Sequence, residues 1–108
     1  MKLKTNKTQG GKELILEYID KLTIKERYIG HAIIEILEES GLEGLAGLET
    51  RQIQNKLWEI KFYRHNRVFY VVIEKEYVYL LHACKKQKGK AEKFEIETAL
   101  KRMDEILS

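Results

Sequence analysis

Apolar residues in the first half of the chain recur at helical spacing. From Glu13 onward, Ile15, Tyr18, Ile19 and Leu22 fall on one side, which predicts a helix of roughly three turns. Thr23 and Glu26 then stand three apart, the spacing of a capping box whose hydroxyl and carboxylate satisfy the free backbone N–H groups of a new helix. Its inward stripe reads Ile29, Ala32, Ile33, Ile36 and Leu37. Glu35, Glu38 and Glu39 take the outer side, and Gly41 is a left-handed stop. The two helices are expected to pair antiparallel. Ahead of them, residues 1–12 are polar, contain Gly10-Gly11, and read as a short arm or edge strand. After them, Gly41 to Leu48 repeats Gly-Leu every three residues, a period that suits neither an α-helix nor a strand. It is expected to form a structured loop whose leucines cap the core. It is too short for a solenoid and does not follow a strand as a phosphate loop would.

The pattern then changes to one rich in aromatic and β-branched residues. Leu57–Tyr63, Val68–Glu74 and Val78–Ala83, separated by short polar breaks, predict a three-stranded antiparallel meander. A two-residue turn at His65-Asn66 sets Trp58 opposite Ile73, Ile60 opposite Val71 and Phe62 opposite Phe69 on one face. The other face receives Glu59, Lys61, Tyr63, Val68, Tyr70 and Val72, so Lys61 and Tyr70 look outward together onto an open surface. A closing helix from about Ala91 to Leu107 buries Ile96, Ala99, Leu100, Met103 and Leu107. The expected fold class is α+β in a single domain, 1–108. The helix pair and the closing helix are expected to share one face of the sheet.

Composition narrows the function. Charge is unevenly placed: residues 1–55 carry −1, residues 91–108 carry −2, and residues 56–90 carry +6 of the chain's net +3. Clustered Lys and Arg bind polyanions by releasing condensed counterions, although a solvated lysine surface would have the same composition. The lone Cys84 cannot close an intramolecular disulfide, and it reads as a small buried apolar residue. No Cys/His spacing matches a zinc site, so neither a metal nor another cofactor is expected. There is no apolar run long enough to span a membrane and no secretory leader, so a cytoplasmic protein without a membrane partner is expected.

No nucleophile triad, paired-carboxylate cleft or glycine-rich phosphate loop stands out. What remains is a basic frame of Lys61, Arg64, His65, Arg67, His82, Lys85, Lys86, Lys88 and Lys90, interleaved with Tyr63, Phe69, Tyr70 and Tyr79. Aromatic rings stack unpaired bases and the cations hold phosphates, a combination suited to single-stranded RNA. Each residue also has a structural reading. Arg67 can pair with a glutamate across the hairpin, His82 can be a hydrogen-bonded strand histidine, and Lys85, Lys88 and His65 can be solvated charges.

Three pieces in order, Leu57-Trp58-Glu59-Ile60-Lys61, Arg67-Val68-Phe69-Tyr70, and Leu80-Leu81-His82-Ala83 followed by a lysine loop and Glu95-Ile96-Glu97, give the chain a family likeness. From about Leu14 to Leu107 it resembles the phage-derived branch of the RelE/HigB toxin superfamily. It differs in having Lys61 where the family usually carries Arg, Ala83-Cys84 for Gly-Phe, and Ala91-Glu92 for Thr-Pro. The resemblance implies the toxin of a type II toxin–antitoxin system: a metal-independent endoribonuclease that cleaves mRNA, often on the ribosome, by attack of the ribose 2′-OH on the adjacent phosphate. It implies Arg67, Lys61 and His82 as catalytic residues, Lys86 and Lys90 as grips on the RNA backbone, and a helix-turn-helix antitoxin as partner. Arg64, Lys85, Lys88 and Tyr70 complete the expected RNA surface. Two other classes remain open on the residues alone: a noncatalytic nucleic-acid-binding module and a phage protein-interaction factor.

Overall fold

A computed structural model describes residues 9–108. The order is α1 (Gln9–Asp20), α2 (Ile24–Ser40), a 3-10 segment (Gly41–Gly47), β1 (Glu49–Gln54), β2 (Leu57–Phe62), β3 (Asn66–Ile73), β4 (Tyr77–Lys85) and α3 (Gly89–Leu107). The α+β class expected from the sequence is the one observed. The expected N-terminal arm or edge strand lies largely outside the described residues, and within them Gln9–Lys12 belong to α1 instead.

Thr23 caps α2 as its spacing predicts: its backbone is extended, its Oγ1 accepts from the Glu26 N–H, and its hydroxyl donates to the Glu26 carboxylate. Gly41 ends the helix with φ 58°. The buried side of α2 is Gly30, Ile33, Ile34 and Leu37, while Ile36 is turned outward, so the stripe is rotated relative to the expected one. Gly30 explains the shift, since a Cβ there would lie 2.9 Å from Cγ2 of Ile19. Only glycine lets α1 come this close. The Gly-Leu repeat forms a 3-10 helix, whose three residues per turn match its period. Leu42, Leu45 and Leu48 pack against the core as caps.

The four strands form an antiparallel sheet in the order β1-β2-β3-β4. β1 was not anticipated, because Glu-Thr-Arg-Gln-Ile-Gln offers one apolar side chain. As an edge strand it needs only ladder bonds to β2, reached through a turn at Asn55 with φ 52°. The β2–β3 register also differs from the expected one. Phe62 pairs with Asn66, Lys61 with Arg67, Ile60 with Val68, Glu59 with Phe69 and Trp58 with Tyr70. The loop is Tyr63-Arg64-His65, with Tyr63 and Arg64 at positive φ. Asn66 is drawn into the ladder because its side chain is already engaged: Tyr18 donates to it and it donates to Glu26. Between β3 and β4, Phe69 pairs with His82 and Tyr70 with Leu80, which leaves Leu81 as an extra residue in a bulge.

This register sorts the sheet into two covered faces. Ile60, Phe62, Val68, Tyr70, Val78 and Leu80 pack with Ile15 and Ile19 of α1 and Ile33, Ile34 and Leu37 of α2. Leu57, Phe69, Val71, Leu81 and Cys84 pack with Ala99 and Met103 of α3. The helix pair and the closing helix therefore lie on opposite faces, not on one, and no face of the central strands is open. On α3 Ile106 packs inward where Leu107 was expected, and Leu107 is exposed.

Candidate functional site

β3 alternates in the normal way, but both of its faces are covered, so a charged residue on it must be buried. Arg67 is 2% exposed and Glu59, diagonally opposite on β2, is 0% exposed. Charges taken out of water need partners, and these two are paired at 2.5 Å between Arg67 Nε and Glu59 Oε1. The pair extends in both directions. Arg51 of β1 donates through Nε to Glu59 Oε2 at 2.9 Å, and Arg67 Nη1 reaches Glu92 of α3 at 3.5 Å. Two guanidiniums and two carboxylates alternate along this line, so it carries no net charge. Arg67 Nη2 is buried without a hydrogen-bond partner.

Phe69 joins this line to a second cluster. The Arg67 guanidinium lies 5.1 Å from the Phe69 ring centroid, and the other ring neighbour is His82, stacked at 6.1 Å and 10°. The Leu81 bulge lets both Leu81 and His82 face α3. His82 Nε2 meets Glu95 Oε1 at 2.5 Å, and Arg102 Nη1 lies 3.3 Å from His82 Nδ1 while donating to the Leu81 carbonyl at 2.9 Å. A guanidinium can only donate, so Nδ1 accepts and the ring proton sits on Nε2, directed at Glu95.

His82, Cys84 and Glu95 place one donor atom each within 4.8 Å of one another, a grouping hidden from sequence spacing because two elements supply it. The donors do not suit a cation as they stand. Metal at Nε2 would move the proton to Nδ1, against the Arg102 donor, and burial with the nearby Glu95 pushes the Cys84 thiol up to about 12.

Of the three expected catalytic residues, Lys61, Arg67 and His82 do share the α3 side of the sheet. Lys61 stands beside Arg67 in the ladder, one-third exposed, with Nζ 3.5 Å from Glu49. Tyr70 does not join them. It is 3% exposed in the α1/α2 core against Trp58, so the expectation that it faces outward with Lys61 is corrected by the register, and it offers no ring to a base. Arg64, Lys85, Lys86, Lys88 and Lys90 are exposed along the β2–β3 loop and the β4–α3 connection. Their loops are tied together, since the Lys86 N–H donates to the His65 carbonyl at 2.6 Å. Lys85 has a partner, Glu26 Oε1 at 3.1 Å. With bonds from Asn66, Thr23 and Lys85, in that order of effect, the Glu26 carboxyl is lowered to about 2.

Sequence reasoning missed Arg51, Glu59, Glu92 and Arg102 as site residues. The hairpin pairing of Arg67 with a glutamate was the one signal for Glu59. His82 and Glu95, thirteen residues apart in the third of the sequence pieces, are joined by a direct hydrogen bond.

No curated protein matches the chain at a significant level. A family model does match, over residues 17–104, a span reaching from α1 through nearly all of α3 and including every residue of both clusters. The chain thus belongs to the family described as phage-derived protein Gp49-like (DUF891).

Proposed function

We propose that this protein is the toxin of a toxin–antitoxin pair and that it acts on RNA without a metal. Family membership supports the first part, and the likeness of the three sequence pieces to RelE/HigB toxins points the same way. The second rests on one observation: Arg67, Phe69 and His82 form a continuous stack on one side of the sheet, with Lys61 beside Arg67. A cation for the phosphate and a proton-carrying imidazole are groups that 2′-OH attack requires, and here they are held on either side of the buried Phe69 ring.

In that reaction the 2′-oxygen bonds to the adjacent phosphorus and the P–O5′ bond breaks. The 2′ proton passes to a base, O5′ receives a proton, and a 2′,3′-cyclic phosphate and a 5′-hydroxyl remain. Arg67 is suited to the charge on the phosphorane oxygens, with Lys61 as a second cation. His82 is suited to the proton: its imidazole stands on β4 on the same side as Arg67, and in the closed form its Nε2 meets Glu95 of α3. Exposed Lys86, Lys88 and Lys90 at the start of α3 supply salt-dependent grip on the backbone.

The burial of Arg67 favours a second reading, a nucleic-acid-binding module that holds RNA on the lysines and does not cut it. Expression decides between a toxin and a harmless binder. Strong expression of the protein alone arrests growth, and co-expression of a small helix-turn-helix protein encoded beside it restores growth. Unimpaired growth with abundant folded protein would overturn the toxin reading.

A further inference from the structure

α3 is anchored unevenly. Its two buried residues, Ala99 and Met103, lie in its middle and second half. Its first turns hold none: Gly89, Lys90, Ala91, Lys93 and Phe94 are exposed, Phe94 to 64%. The N-cap, Lys88, makes no side-chain capping bond, and Gly89 takes φ +62°, which glycine adopts without strain. What ties this half to the sheet by side-chain polar bonds is two carboxylates, Glu92 on Arg67 at 3.5 Å and Glu95 on His82 at 2.5 Å. These are the two strand groups that the reading above assigns to a phosphate and a proton. Glu92 is one-third exposed at the edge of a groove lined by Gln54, Gly89, Lys93, Ile96 and Leu100, so its release would open Arg67 toward solvent.

We propose that the first half of α3 is a built-in cover that keeps the Arg67 surface closed, with the Glu92 carboxylate standing where a phosphate oxygen would bind, and that the site works only when this half lifts from the sheet. The inference rests on the RNA-directed reading for its purpose, but not for its geometry. The closed form is electrically satisfied: with Arg51, Glu59, Arg67 and Glu92 the line is neutral, and neutralising Glu92 leaves it at +1. Arg67 Nη2, buried and unpartnered, is the donor left over for an incoming anion. In this half of α3 only Ile96 packs on the apolar cluster beneath it, so this half can open locally without global unfolding.

Two variants test it, Glu92→Gln and Glu92→Gln/Glu95→Gln, each against the full-length wild-type chain. Amide hydrogen exchange is read at residues 93–96, the first N–H groups bonded back within the helix, and at 99–103. In wild type, residues 93–96 exchange faster than 99–103 by on the order of a hundredfold. The double variant accelerates residues 93–96 further and leaves 99–103 unchanged. Inorganic phosphate, followed by the Arg67 side-chain N–H resonance, binds the variants roughly tenfold more tightly than wild type. Uniform exchange along α3, or phosphate affinity unmoved by either variant, would overturn the cover. RNA cleavage by Glu92→Gln, which keeps the His82–Glu95 contact, is a separate outcome. Opening and phosphate binding without cleavage would remove the ribonuclease reading and leave the cover standing.

Discussion

The two faces of the sheet are covered by the same kind of layer, amphipathic helix, yet they are built on different physics. Under α1 and α2 the contact is almost wholly hydrocarbon, with the polar bridge Tyr18–Asn66–Glu26 at its end. Under α3 a smaller apolar cluster shares the face with a line of four charges and a histidine–carboxylate pair. Burying charge pairs is a poor way to gain stability, because the desolvation cost offsets much of the Coulomb attraction. A face that keeps them anyway is arranged for something besides holding the fold. The contrast sets a hydrocarbon side of the sheet against a charged side, where the proposed chemistry would sit.

The largest expected effect breaks the charged face. Glu59→Ala removes the main partner of a fully buried guanidinium and should destabilise the protein by about 3–5 kcal/mol in denaturant unfolding. Replacing both members by apolar residues, Glu59→Leu with Arg67→Met, should return stability to the wild-type level or above it. A double variant as unstable as Glu59→Ala would mean that the pair is structural after all. On the other face, Ile60→Ala deletes fully buried hydrocarbon beneath α1 and α2 and should cost roughly 2–5 kcal/mol. No second substitution in contact with it should restore that loss as the charge-pair swap does.

The smallest effect sharpens the comparison through pH. Glu26 titrates lower in the folded chain, at about 2, than its ordinary value of 4.5, so between these values the unfolded chain binds more protons. Its contribution is complete above about 4.5 and is lost as pH falls through about 2. Thermal melting of wild type should therefore fall across that window more steeply than that of Glu26→Gln. Parallel curves would remove Glu26 from the acid response.

What could be read from the sequence follows from how regular each element is. The capping box at Thr23, the three central strands and the closing helix were legible because their periodicity or end signals are strong. β1 was not, since an edge strand of Glu, Thr, Arg and Gln has no apolar face to betray it. The hairpin register was missed because Tyr63 and Arg64, rather than a glycine or asparagine, adopt the positive φ values. The same error hid the second covered face. β3 is buried at six consecutive positions, Asn66 to Val71, and a strand covered on both sides reads as a run rather than an alternation. Lys61, Arg67 and His82, named together from the family likeness alone, lie on one side of the sheet in the observed register, on a surface that α3 covers and Tyr70 does not share.

The central claim, that the α3 side of the sheet cuts RNA, is tested most directly by incubating single-stranded RNA with excess wild-type protein in the presence of a metal chelator. The folded Glu59→Leu/Arg67→Met variant is run beside it. The account predicts fragments ending in 2′,3′-cyclic phosphate from wild type, with cleavage by the variant reduced on the order of 10²–10³-fold through loss of a charge-stabilising donor. Intact RNA with wild type, or equal cleavage by both proteins, would contradict it.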